Sequence, residues 1–224
     1  MPLHNALLDV TADFSEIFEK QRRDFGGAHR IGNEIRTLSK QGVAMLEFGD
    51  MTAAENCEKK IKELWKQLYD LSLPEDIRWQ FDSENGQEMV EFIIVKQLFP
   101  YLDPSADLTS IDSLPSYENL QVTRQTWMAG LGDVVGELSK LQLRRLCDPN
   151  LDRKQRLALR RRFVEIAETI RGALGQFETA YPIVVNNSRR RGFFNTFRGV
   201  LVRMDNLIER HLDAIATMLD QSAR

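Results

Sequence analysis

Apolar residues recur along almost the whole chain at spacings of three and four, and no window sustains the alternation of a half-buried strand. The pattern predicts an all-α protein. A first helix is expected over roughly Asn5 to Phe25, with Leu7, Leu8, Phe14, Ile17 and Phe18 as apolar positions before Gly26 and Gly27 interrupt it. A second runs from about Ala28 to Phe48 and ends at Gly49. Thr52 followed three residues later by Glu55 reads as a capping box, opening a third helix through Ile61, Leu64, Trp65 and Leu68 that stops near Pro74. A fourth carries GQEMVEFIIVKQLF, residues 86 to 99, and ends at Pro100.

The stretch YLDPSADLTSIDSLPSYENL has the Pro, Ser and Asp content of an ordered loop, long enough to hold a short helix. A fifth helix is expected from about Val122 to Cys147, a sixth from an Asp152 cap to about Tyr181, and a last over roughly Arg190 to Gln221. With no repeat period and no low-complexity linker, residues 1–224 read as a single bundle of about seven helices.

That frame leaves one local anomaly. Glu88 and Glu91 sit among Met89, Val90, Phe92, Ile93, Ile94 and Val95, where an ionised carboxylate is costly to desolvate unless something pairs with it. GLGDVVGELSKL, residues 130 to 141, repeats the arrangement with Asp133 and Glu137. Residues three and four apart share a helix face, so each pair presents two repelling carboxylates side by side. Two such helices facing each other across a divalent cation turn the repulsion into coordination. Glycines at 130, 132 and 136 cost helix stability and point to close approach of a partner helix or ligand.

The histidines, His4, His29 and His211, lie far from both pairs in sequence, so the available ligands are oxygens, which suit Mg²⁺ or Mn²⁺. Such ions activate water and neutralise phosphoryl charge, making phosphodiester or pyrophosphate hydrolysis the expected chemistry. Asp9 with Asp13 and Glu55 with Glu58 show the same spacing on solvated faces; the apolar setting distinguishes the two candidate pairs.

Charge adds a possible partner. The net charge is −3, yet residues 140 to 210 hold 16 Lys and Arg against 7 Asp and Glu, a bias that suits a polyanion. Lys140 and Arg144 continue the face of Asp133 and Glu137, and Arg36 and Lys40 form a second pair four apart. The run RKQRLALRRRF, residues 153 to 163, reads as a solvated face interleaved with core positions, and Arg189, Arg190 and Arg191 fall near a helix start. Trp65, Trp79 and Trp127 are expected in packing rather than base stacking. Cys57 and Cys147 make no metal spacing or disulfide framework and read as buried or half-buried small residues. With no leader-like N-terminus and no membrane-length apolar run, a cytoplasmic protein is expected.

QEMVEF, residues 87 to 92, resembles the Q-E-x-V-E segment of the translin-associated factor X (Trax) branch of the translin family, and GLGDVVGELSKL resembles that branch's G-x-x-D-x-x-G-E-L segment. LSKQGVAML and RGVLVRMDN are similar to an early Ser-Lys segment and a late Lys-x-x-Leu-x-Lys-Val-Glu-Asn segment of the same family. The resemblance implies a translin-like all-α fold assembling into a closed shell, here a homo-oligomer of the simpler archaeal type, an octamer, around RNA or single-stranded DNA. It further implies a Mg²⁺-dependent endoribonuclease in which Glu88, Glu91, Asp133 and Glu137 are catalytic and Glu91, Asp133 and Glu137 bind metal. Lys140, Arg144, Arg36 and Lys40 are the nucleic-acid contacts expected from the residues themselves.

Two alternatives stand beside this expectation. An all-α nucleoside triphosphate pyrophosphohydrolase also uses paired acids around Mg²⁺, although its E-x-x-E and E-x-x-D pattern differs from the four-residue spacing of Asp133 and Glu137. A non-catalytic nucleic-acid-binding shell would leave the acids a structural role.

Overall fold

The computed structural model describes the backbone over residues 2–180 and 188–221, and side chains over 17–176 and 198–221. Among the described residues there is no strand, and seven α-helices follow in order: α1 (Pro2–Glu47), α2 (Met51–Asp70), α3 (Glu75–Phe81), α4 (Gln87–Leu98), α5 (Arg124–Leu146), α6 (Arg153–Ala180) and α7 (Ser188–Asp220).

The expected break at Gly26 and Gly27 does not occur, and α1 is one helix of 46 residues. Glycine costs a helix about 1 kcal/mol but does not reverse the chain unless a turn or cap takes over, and none does here. The reversal comes at Gly49, whose φ of +75° allows the left-handed cap: Gly49 N–H donates to Leu46 C=O at 3.0 Å and Asp50 N–H to Met45 C=O at 2.9 Å. Asp50 then caps α2, accepting from Ala53 N–H at 2.9 Å, so the start signal is Asp50 and not the Thr52–Glu55 box. Because α2 is less than half as long as α1, it returns only to the neighbourhood of Gly27, which lies 3.9 Å from Leu71 Cδ1 by its would-be Cβ.

Helix α3 runs into α4 without a break through a π-helical turn, Asp82–Gly86. Asp82 and Asn85 are buried there. Asp82 accepts from Thr126 Oγ1 at 2.6 Å and from Thr123 N–H at 3.3 Å, tying this turn to the first turn of α5. Thr123 caps α5, and the loop before it holds two short 3₁₀ turns, Phe99–Leu102 and Leu108–Ser110. At α6 the Asp152 cap is as expected: Gln155 N–H donates to Asp152 Oδ1 at 2.7 Å, and Asp152 N–H donates to Gln155 Oε1 at 2.8 Å.

The buried core joins Ile35 and Leu46 of α1, Ile61 and Trp65 of α2, Phe92 and Ile94 of α4, Leu138 and Leu141 of α5, Phe163 and Leu174 of α6, and Met204 of α7. Among the described residues no helix is long and apolar enough to cross a membrane.

Candidate functional site

Helix α4 is sealed on most of its circumference: Met89, Val90, Phe92, Ile93, Ile94 and Val95 are each 2% exposed or less. Glu88 and Glu91 occupy the strip that remains half-buried. Asp133 and Glu137 are half-buried in the same way on α5, between buried Leu131, Val134, Val135 and Leu138.

The glycines bring these strips together. A methyl group on Gly130 would lie 2.7 Å from Val90 Cβ and 2.9 Å from the Gln87 carbonyl oxygen, so α5 packs directly against the backbone of α4. Gly132 plays the same part toward α7, with Val200 Cγ1 2.6 Å from a would-be Cβ, and Gly42 of α1 makes room for the Phe92 ring. Gly136 faces open space and forms part of the wall of a cleft.

That cleft has a volume of about 700 Å³. Helix α1 contributes Ser39, Lys40, Val43, Ala44 and Glu47, α4 contributes Glu88, Glu91 and Phe92, and α5 contributes Asp133, Gly136, Glu137, Lys140 and Arg144. All four sequence-predicted acids therefore line one cavity, with Lys40, Lys140 and Arg144 at its edge. Arg36 is turned elsewhere, its guanidinium 3.5 Å from Glu84 Oε2.

Burial, followed by the charges of Glu137, Asp133 and Glu88, pushes the Glu91 carboxyl up to about 8, against a small opposing pull from Lys140. The neighbouring acids are held by the chain's own donors. Gln87 Nε2 donates to Asp133 Oδ2 at 2.6 Å, and Arg203 of α7 stands 3.6 Å from Asp133 Oδ1. Lys140 pairs with Glu137, a hydrogen bond that holds the ammonium above its usual range, and Arg144 pairs with Glu47.

The potential metal donors in the lining are oxygens, the carboxylates and the Ser39 hydroxyl, a set suited to a hard divalent cation such as Mg²⁺ or Mn²⁺. Burial and the neighbouring carboxylates both disfavour the ionised Glu91, and a bound cation would offset both, so the donor chemistry fits. The positions adopted do not yet grip an ion: among the described residues no three His, Cys, Asp or Glu side chains converge closely enough to hold one. Binding would require Glu137 to exchange its Lys140 contact for the ion, while Gln87 engages only one of the two Asp133 oxygens.

Glu47, Gln87 and Arg203 escape the sequence reading. Glu47 stands seven residues after Lys40 and shares its face of α1, a signal present in the sequence but no stronger than many other charged pairs. Gln87 and Arg203 reach Asp133 from other helices, which no local spacing reveals.

Away from the cleft, the basic run of α6 is partly structural. Arg156 donates to the carbonyls of Leu146, Asp148 and Leu151, and Arg162 to those of Pro104 and Ala106. Trp65 and Trp127 are anchored through their indole N–H groups to Gln121 and Pro115 carbonyls, whereas Trp79 is 46% exposed. Cys57 is half-buried, but Cys147, against expectation, is exposed because it lies just beyond the end of α5. The side chains of Arg189, Arg190 and Arg191, and the end expected near Tyr181, lie outside the described residues.

The described residues form an all-α fold, and its likeness to solved structures makes it translin-like. Three solved structures carry that assignment over nearly the full length of the chain. Apo-NeC3PO matches with a TM-score of 0.61 and 17% identity, covering 95% of this chain and 96% of its own. AfC3PO matches with a TM-score of 0.58 and 22% identity, covering 93% and 98% respectively. AfC3PO in complex with duplex RNA gives 0.57 and 22%, covering 93% and 97%. No protein-family model and no curated protein matches the chain.

Proposed function

We propose that this chain is a metal-dependent endoribonuclease of the Trax type, hydrolysing phosphodiester bonds in the cleft between α1, α4 and α5. The observation that carries the reading is Glu91: a half-buried carboxyl lining one cleft with Glu88, Asp133 and Glu137, and held up to about 8 first by burial and then by the charges of those three acids. A fold requiring only stability would place apolar groups there.

Glu91, Asp133 and Glu137 would hold Mg²⁺ or Mn²⁺, with Glu88 completing the coordination or orienting the attacking water. When bound, such an ion activates water and neutralises charge on the scissile phosphate. Near neutral pH Glu91 holds a proton, which it must release before it can act as a ligand. Gln87 keeps one Asp133 oxygen oriented by its hydrogen bond. Lys140 and Arg144, with Lys40 from α1, supply positive charge for phosphate oxygens at the cleft edge.

The likeness to C3PO supports RNA as the polymer bound, one of those structures being a duplex RNA complex. We extend the reading to a single domain over 1–224, self-assembly into a homo-oligomeric shell, an octamer, and a cytoplasmic setting. Assignment to the Trax branch rests on QEMVEF and GLGDVVGELSKL.

The test is cleavage of end-labelled RNA by purified protein with Mg²⁺ or chelator, beside Glu91→Gln from the same preparation. Metal-dependent cleavage lost in the variant is expected. A second reading has its own observation: Glu137 and Glu47 are already neutralised by Lys140 and Arg144, as a non-catalytic binding shell would require. Chelator-insensitive RNA binding without cleavage would favour that shell.

A further inference from the structure

Glu47 is the last residue of α1, so its carboxylate sits at the negative end of a helix dipole, where an anion is disfavoured and a cation is attracted. Arg144, in the last turn of α5, supplies that cation. The pair is asymmetric: the Glu47 side chain is 14% exposed and the Arg144 side chain 62%, so the carboxylate is the fixed partner and the guanidinium the movable one.

The neighbouring pair behaves differently. Lys140 and Glu137 lie one turn apart on the same helix, and Glu137 belongs to the set of acids that a divalent cation would recruit. An arriving cation would therefore release Lys140. Nothing comparable releases Arg144, because its partner belongs to another helix and Glu137 lies seven residues back along α5, about 10 Å at 1.5 Å per residue. What frees Arg144 is a competing anion at its own end of the cleft.

Resting on the reading of the cleft as a phosphodiester site, we infer that Glu47 is a specificity-determining residue that masks Arg144 until a phosphate of the bound strand displaces it. Arg144 then contributes only to polyanions that place a phosphate at the α1–α5 end of the cleft. Guanidinium suits this exchange, since its planar fork pairs with carboxylate and phosphate in the same bidentate geometry.

A double-mutant cycle tests the mask. Glu47→Gln, Arg144→Gln and the double variant would be titrated with a short fluorescent RNA in chelator over a range of salt, and with inorganic tripolyphosphate by calorimetry. Glu47→Gln should bind RNA about fivefold tighter at low salt, with a log–log salt slope steeper by about 0.7 for one added phosphate contact. In the Arg144→Gln background that gain should vanish. A gain that survives loss of Arg144 would reflect only the removal of a negative charge, and no gain would make the pair a structural tie between α1 and α5; either result overturns the inference.

Glu47→Asp, retaining the carboxylate, should bind as the parent does, and thermal melting confirms that each variant is folded. Because binding is read without metal or turnover, absence of nuclease activity leaves the cycle interpretable. If RNA binds none of the variants, the tripolyphosphate cycle decides: a gain dependent on Arg144 sustains the mask while rejecting RNA as ligand, and an additive result rejects the mask.

Discussion

The cleft and the α6 region both gather ionisable groups against an apolar core, and they use them in opposite ways. In α6, Arg156 and Arg162 donate to loop carbonyls, and Arg160 stands 3.5 Å from His211 Nδ1. His211 is 3% exposed, with its Nε2 3.3 Å from Ser139 Oγ and its ring centroid 4.2 Å from that of Phe163. Arg156 and Arg162 there tie neighbouring segments to the helix. In the cleft, four acids line one cavity, and burial together with the three neighbouring acids raises the free energy of ionised Glu91 instead of lowering it. Dense charge in a sequence is thus a poor guide to a site; mutual repulsion among half-buried groups is a better one.

The sharpest way to break this contrast is in the cleft. Glu91→Gln should lower metal-dependent RNA cleavage by at least ~100-fold, the usual scale for removing a group that acts in the reaction, while the variant remains folded by circular dichroism. Arg156→Ala should do the reverse. Losing charged hydrogen bonds to three carbonyls should destabilise the protein by about 2–3 kcal/mol in urea melts, and leave the affinity for RNA in chelator unchanged.

The two regions should also respond oppositely to pH. The folded Glu91 carboxyl is raised, so the folded state binds the extra proton and stability declines as pH rises from about 4.5 to about 8. In chelator this decline should be absent from Glu91→Gln. Burial, with a smaller push from Arg160, lowers His211 from its ordinary value to about 4. The unfolded state then takes the proton first, and stability is lost as pH falls from about 6.5 to about 4. That loss, smaller than the one at Glu91 because the shift is smaller, should disappear in His211→Gln, measured by thermal melting across the pH range.

The same difference explains what was legible in the sequence. Helical periodicity exposed the fold class, and the Asp152 cap set the start of α6 because its partner, Gln155, lies within the same turn. Gly26 and Gly27 misled because glycine weakens a helix without ending it; Gly49 ends α1 because it alone there adopts positive φ. Thr52 and Asp50 offer competing caps two residues apart, and backbone geometry chose Asp50. The four acids were visible since each pair lies within one helix face and its apolar setting is local. Glu47, Gln87 and Arg203 were not, because their partners are supplied by other helices.

The central claim is that these acids together form a divalent-cation site. Its most direct measurement is Mn²⁺ binding near pH 7, followed by loss of the free-ion electron paramagnetic resonance signal, with simultaneous detection of released protons. The account predicts saturable binding that expels a proton from the Glu91 carboxyl, and much weaker binding with no such release in Glu91→Gln. Equal Mn²⁺ binding by both proteins, or none by either, would contradict it.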